Sequence, residues 1–457
     1  MSAPVLARAY AGTGMLGSGF LEASLETALA WGPDVIGCDA GSTDGGPAYL
    51  ATGTSMFGAA STERDMALLL NAALRAGVPL VIGSAGTGGG DRNLAWARER
   101  MLAAARTVGR PFTLATVAAE QPKDVIHQAR DAGRLAPLPA APELDASVID
   151  GCEAIVAMMG TEPILDAIER GADVVLCGRS SDAAVYAAVP VARGVEPGAA
   201  WHAAKVLECG AAAVTHRTVP DGMFAALERD AFTVTPPNPD YRCTPLSVAA
   251  HSLYENADPY RLTEPNGVVD LTGARYEARD PRSVRVTGTA FDPADAYTVK
   301  LEAARIAGYR SLVLGAVRDP YVLARLDDWL GEVRATAEAR IEGSFPGRPY
   351  RLVIRRYGRD GVLGDREPTT APAHEVALAF EVTADDATTA HGMADDVRHI
   401  ALHHPIPEWH GLITVLAHPH SPAVIDLGPA YEFAMNHVWR LDDPLAPFKT
   451  HLERVAP

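Results

Sequence analysis

Apolar and polar positions in the first half of the chain follow two periods in turn. Segments with apolar residues at helical spacing, such as ERDMALLLNAALRAG ending at Gly77, pass through a glycine into short apolar runs. These runs are PDVIGCD from Pro33, VPLVIG from Val78 and ADVVLC from Ala172. A run that is apolar at successive positions is a strand covered on both faces, as in a parallel sheet built from βαβ units. VLARAYA and PFTLATVAAE predict two more strands, and FLEASLETALAWG, NLAWARERMLAAARTVG and QPKDVIHQARDAG predict the helices between them. From about residue 190 the pattern loosens into a turn-rich stretch, and after residue 281 the period changes. YTVKLEAARI and RSLVLGAV alternate and predict a β-hairpin turning at Ala307-Gly308-Tyr309, followed by an amphipathic helix and further alternating strands such as HEVALAFEVTA and YEFAMNHVW. The expected fold is α/β: a Rossmann-like, mostly parallel sheet flanked by helices over residues 1–281, then a smaller α+β domain with an antiparallel sheet over 282–457.

The ends of the three apolar runs carry the candidate chemistry. Counted from Gly32, Gly77 and Gly171, the residues Ser42, Thr87 and Ser181 share one offset, and Thr43, Gly88 and Asp182 the next. In open parallel sheets ligands bind beyond the carboxyl ends of the strands, where such residues gather. Asp39, Ser42, Thr43 and Asp44 lie on one glycine-rich loop, and two carboxylates held close push their pKa values apart, which suits acid/base work. Asx and Ser turns closing a surface loop are the structural alternative. The loop Ser84-Ala-Gly86-Thr87-Gly88-Gly89-Gly90 before a helix has the composition of an anion nest, without the lysine of a Walker A loop. Arg179 beside Ser180 and Ser181 offers a fork for a carboxylate, or an internal ion pair with Asp182.

Gly12, Gly14 and Gly17 form a G-x-G-x-x-G spacing between a strand and a helix, the context of dinucleotide binding, with Asp39 ending the next strand. A tight turn that needs small residues explains the same spacing. Cys243 and His251 lie eight residues apart in the turn-rich stretch, with nothing to bring them together. Histidines thicken toward the C-terminus, but no H-E-x-x-H or comparable spacing is present, so no metal site is expected.

Composition narrows the partners. The formal net charge of −17 and the lack of a dense Lys/Arg run argue against nucleic acid and anionic membranes. The five cysteines lack C-x-x-C spacing, which disfavours a disulfide framework and a structural zinc. No secretory leader and no membrane-spanning apolar run is evident, so a cytoplasmic protein is expected. Large α/β enzymes of this kind are commonly symmetric, and a homo-oligomer is expected.

Six blocks in order resemble the acyclic terpene utilisation AtuA-like family. They are D-A-G-S-T-D-G-G-P from Asp39, G-S-A-G-T-G-G from Gly83, C-G-R-S-S-D-A-A from Cys177, R-C-T-P-L-S-V-A-A-H-S-L-Y-E from Arg242, Y-T-V-K-L-E from Tyr297 and Y-G-R-D-G-V-L-G from Tyr357. The departure is Ala303, where the family pattern commonly has glycine. The resemblance implies bacterial catabolism of branched or terpenoid acids, often handled as coenzyme A thioesters, and brings no residue with an assigned catalytic role. The expectation is a catabolic enzyme acting on a small anionic substrate, a carboxylic acid or its acyl-CoA thioester, by non-redox acid/base chemistry as a lyase, hydratase or isomerase. No cofactor is expected. Asp39 or Asp182 serves as base, the Ser84–Gly90 loop and Arg179 hold an anionic group, Ser42, Thr43 and Ser181 position a hydroxyl or water, and Lys300 stabilises an enolate. The rivals are a nicotinamide-dependent oxidoreductase using Gly12, Gly14 and Gly17, and a non-catalytic ligand-binding subunit.

Overall fold

The computed structural model describes residues 4–41, 45–406 and 415–456. Two compact units form: Met1–Arg305 together with Phe433–Pro457, and Ile306–Glu432. Residues 282–305, which the change of period groups with the C-terminal region, belong to the first unit. The division falls inside two long strands, Tyr297–Val317 and Val424–Leu441.

The first unit is built on a ten-stranded sheet. Its strands are β1 (Ala7–Ala11), β2 (Val35–Gly41), β3 (Leu80–Thr87), β4 (Phe112–Ala118), β5 (Val174–Cys177), β6 (Met223–Leu227), β7 (Ala231–Thr235), β8 (Arg275–Ala278), β9 (Val284–Thr287) and β10 (Lys449–Val455). The order is β8-β9-β7-β6-β1-β2-β3-β5-β4-β10. Pairings β1–β2, β2–β3, β3–β5 and β5–β4 are parallel, and β6 and β10 join antiparallel at either side. The sheet is therefore mixed, with a parallel centre, where a mostly parallel sheet was expected. Part of the difference lies in the turn-rich stretch after residue 190, whose short β6 and β7 pair with each other across a tight connection. Strands of this length lack enough alternation to stand out from turns.

The continuous apolar runs are explained by the packing. Ile36, Leu80, Ile82, Val174 and Leu176 face one buried cluster, with Met66, Leu69, Leu70 and Met101 from helices Ala59–Ala76 and Asp91–Val108. Their neighbours Val35, Val81, Val175 and Cys177 face the other cluster, with Val185, Trp201 and Leu207 from helices Ala184–Ala192 and Pro197–Leu207. Both faces being covered, no strand position is free to be polar until the carboxyl ends. Gly77 closes the helix Ala59–Ala76 in the left-handed region at φ 68°, which is why the chain turns into β3 there.

The second unit packs an antiparallel layer under helices. Tyr309–Val317 pairs with Val376–Ala384, which pairs with Tyr350–Tyr357. Val313, Phe380 and Val382 meet Trp329 and Val333 of helix Leu326–Ser344 and Met393 and Val397 of helix Ala387–His403. The predicted hairpin around Gly308 does not form. Tyr297–Val317 is one strand, because its first half pairs with Cys152–Ala157 and its second half with Val376–Ala384 instead of with each other. Among the described residues no helix is long and apolar enough to cross a membrane.

The close approach of β2 and β3 rests on Gly41, where a Cβ would lie 2.1 Å from Ser84 Cβ and 2.8 Å from the Thr87 carbonyl. Gly41→Ala is expected to cost about 1–3 kcal/mol of stability by overpacking. Urea denaturation checks this, and an unchanged midpoint would contradict the close contact.

Candidate active site

The carboxyl ends of β2, β3 and β5 converge, and Asp39, Ser84, Thr87, Arg179, Ser180 and Ser181 are all buried there. Two backbone features shape the loops. Ser84 and Thr87 adopt positive φ of 43° and 82°, a conformation that costs a non-glycine residue about 1–3 kcal/mol and is held by its surroundings. Gly89 lets the loop touch the β5 end: a Cβ there would sit 2.4 Å from the Arg179 nitrogen, and the Arg179 N–H donates to the Gly89 carbonyl at 2.9 Å. Ser84 and Ser180 lock the two ends together, the Ser84 N–H donating to Ser180 Oγ at 3.2 Å and the Ser180 N–H to Ser84 Oγ at 3.3 Å.

Arg179 is the electrostatic centre. Its Nε donates to Glu302 Oε2 at 2.7 Å and its Nη1 to Ser84 Oγ at 3.0 Å, with Asp182 Oδ1 3.6 Å from Nη1. Nη2 has no acceptor among the described residues. Glu302 also accepts from Lys300 Nζ at 2.8 Å. Burial alone would raise the Glu302 carboxyl, but Arg179 and then Lys300 hold it down at about 2. Burial likewise opposes the Arg179 charge, and Glu302, Asp182 and Asp39 more than offset it, raising its pKa.

The other carboxyls shift the opposite way. Asp39 lies well above the ordinary carboxylate range, first because it is buried and then because Asp182 is near, with Arg179 opposing. Asp182 is raised by burial against the pull of Arg179. Its Oδ1 is buried without a hydrogen-bond partner among the described residues, while the side chain as a whole is 40% accessible. Ser181 Oγ donates to Glu264 Oε2 at 2.8 Å, and burial pushes Glu264 up to about 8. Glu208 accepts from Lys205 Nζ at 2.5 Å, and burial outweighs that partner, leaving it at about 7. Glu302 is thus ionised against Arg179, while burial raises Asp39, Asp182, Glu264 and Glu208, a separation of the kind that acid/base chemistry uses. Among the described residues no three His, Cys, Asp or Glu side chains are placed to hold a metal ion.

Other expected site residues are placed differently. Ser42, Thr43 and Asp44 lie outside the described residues. The helix end of the Ser84–Gly90 loop is occupied internally: the Asp91 N–H donates to Glu120 Oε2 at 2.7 Å, the Gly90 N–H to Asn93 Oδ1 at 3.3 Å, and Asn93 Nδ2 to the Gly86 carbonyl at 2.7 Å. The anion at this helix start is therefore the protein's own Glu120, and only the Thr87–Gly88 end opens to a narrow cleft, with Arg179 and Glu302. Around Gly12, Gly14 and Gly17 the loop is a tight turn closed by the fully buried Asp65, whose Oδ2 accepts from the Gly17 and Gly19 N–H groups at 2.9 and 3.0 Å. A Cβ on Gly14 would meet the Cys209 carbonyl at 2.6 Å, and the helix begins only at Glu22. The amides and space a pyrophosphate would need are taken. Cys243 and His251 are both held uncharged by burial, the thiol pushed up to about 12 and the imidazole down to about 4.

Sequence reasoning missed Glu302, Glu264, Glu208 and Lys205 as members of the site. Alternation in Y-T-V-K-L-E does put Lys300 and Glu302 on one face, and Glu302 of that face accepts from Arg179. Glu264 and Glu208 carry no local signal.

The family model described as acyclic terpene utilisation family protein AtuA matches residues 55–424. No curated protein and no solved structure matches the chain.

The raised Glu264 carboxyl makes stability depend on pH. The folded state keeps this proton up to about pH 8 while the unfolded chain releases it near 4.5, so this group's contribution falls as pH rises between those values. Glu264→Gln is expected to gain stability relative to the parent as pH rises from 5 to 8.5. Urea midpoints at three pH values check the sign. Asp65→Ala, which strands the buried Gly17 amide and the part-buried Gly19 amide, is expected to lower stability by about 2–4 kcal/mol in the same assay.

Proposed function

The chain belongs to the acyclic terpene utilisation family AtuA, and from that premise we propose that it is a cytoplasmic catabolic enzyme that moves a proton next to a carbonyl without redox chemistry. The family name fits a catabolic role. The observation that carries the chemistry is the split between Asp39 and Asp182 beside Arg179. Burial raises both carboxyls, and in this reading they hold one proton between them at neutral pH. Asp39 is buried and holds it. In this reading Asp182, 3.6 Å from the Arg179 guanidinium and on a side chain that is 40% accessible, is the ionised partner.

In this reading the substrate is a small carboxylic acid or its thioester, oriented by Arg179 Nη2. Asp182 removes a proton from the carbon next to the carbonyl. The negative charge that develops on the carbonyl oxygen is met by Arg179, with Lys300 adding to the local positive potential. Asp39 then donates its proton, to a leaving hydroxyl in an elimination or to carbon in an isomerisation, and Ser181 positions the hydroxyl or water. Addition of water is the same path reversed. A lyase, hydratase or isomerase all draw on this one constellation, and a symmetric homo-oligomer is the proposed assembly.

A thermal-shift screen of small carboxylic acids and coenzyme A thioesters finds the ligand, and proton exchange in D2O followed by NMR then separates the roles. Asp182→Asn is expected to slow exchange of the substrate's acidic proton by about 10²–10⁴-fold. Asp39→Asn is expected to keep that exchange while losing net turnover by a similar factor of about 10²–10⁴. Unimpaired exchange in the Asp182 variant would remove it from the base role, and full turnover in the Asp39 variant would remove that residue as the acid.

A further inference from the structure

One block of the sequence, Y-G-R-D-G-V-L-G from Tyr357, serves neither the buried core nor the acid cluster around Arg179. In the second unit it follows the strand Tyr350–Tyr357, the edge strand of its sheet. It holds three large apolar side chains in the open, Tyr357 at 46%, Val362 at 85% and Leu363 at 51% exposure. Apolar side chains gathered on a surface mark a place where something else docks. The loop also stands between two open grooves of about 560 and 670 Å³, with Asp360, Gly364 and Asp365 walling both, so Val362 and Leu363 sit on the ridge that divides them.

The ridge is fixed before anything meets it. The Gly361 N–H donates to the Arg356 carbonyl at 2.9 Å and the Gly364 N–H to the Asp360 carbonyl at 2.8 Å. Arg356 donates to Asp360 on the loop and to Asp327 at the start of helix Leu326–Ser344, and Arg359 donates to the same Asp327. A loop tied down in this way gives up little freedom on docking.

Charge indicates what docks. The whole chain carries a formal −17, so two copies repel one another over most of their surface. Beside the ridge the signs balance. Arg318 and Asp365 line the larger groove, Arg366 follows Asp365, and Asp328 follows Asp327. Among the described residues none of these four has an ion-pair partner. An isologous contact presents one patch from both sides, so a cation left over on that patch needs an acid left over on the same patch. Two of each are present. A nucleic acid or an anionic membrane would need an excess of cations instead.

We propose that the Tyr357–Gly364 ridge is the surface on which a second copy of the chain docks. The Val362 and Leu363 side chains of the two copies meet at a two-fold axis, and the unmatched arginines of each copy face the unmatched aspartates of the other. This rests on the homo-oligomer proposed above and is independent of the acid/base chemistry.

Sedimentation equilibrium of the full chain and its variants tests this. Val362→Asp puts two like charges at the axis and is expected to raise the dissociation constant between copies at least about ten-fold. Leu427→Asp, in the strand Val424–Leu441 that two other strands separate from Tyr350–Tyr357, is expected to leave it within about two-fold. Should the circular dichroism melt of Val362→Asp show a folding defect, Val362→Cys replaces it. Under diamide this variant is expected to form a covalently linked pair of chains on a non-reducing gel, while Leu427→Cys is not. An oligomeric parent that Val362→Asp leaves equally tight, or a folded Val362→Cys that does not cross-link, would overturn the ridge as the contact while leaving the homo-oligomer in place. A parent that stays monomeric up to about 100 µM would overturn both.

Discussion

A guanidinium taken out of water must find its counter-charge inside the protein, and Arg179 sets that requirement at the carboxyl edge of the parallel strands. Glu302 answers it at 2.7 Å, and Ser84 and Asp182 complete the surroundings. A buried pair of this sort costs desolvation on both sides, and removing one partner leaves the other stranded, so the elements that carry them are tied to each other. The β5 end, the strained β3 loop and the strand Tyr297–Val317 all owe their positions near Arg179 to contacts of this kind. The positive φ values at Ser84 and Thr87 persist because these hydrogen bonds over-determine the backbone there.

The same charge sorts the acids around it. Where Arg179 and Lys300 grip directly, as at Glu302, the carboxylate is ionised far below neutrality; where burial and neighbouring acids dominate, as at Asp39 and Glu264, the proton is retained. The shifts of these acids thus differ with burial and with how closely a cation approaches each of them. Asp182 is intermediate in both respects, 3.6 Å from Arg179 and on a side chain that is 40% accessible.

Internal anions explain why two other promising loops are closed. Asp65 fills the glycine turn at Gly17, and Glu120 caps the helix that begins at Asp91. Exposed amides at such turns attract negative charge whether it comes from a ligand or from the chain. Motif spacing describes the donors; it is silent on whether an acid tens of residues away has already reached them.

The amino-acid sequence by itself determined the strands and helices of the central layers, the turns at Gly32, Gly77 and Gly171, the placing of Asp39, Ser84 and Ser181 at the carboxyl ends of β2, β3 and β5, and the family. Each of these follows from local periodicity or from a contiguous block, since an element buried on both faces must show it residue by residue. Only the tertiary structure decided that Tyr297–Val317 runs straight through Gly308, that antiparallel strands flank the parallel centre on both sides, and that Glu302, 123 residues beyond Arg179, pairs with it. The physical reason is that a strand's alternation fixes which face is apolar but not which partner it meets. A buried charge, likewise, selects its counter-ion by distance in space and leaves no mark on the spacing along the chain.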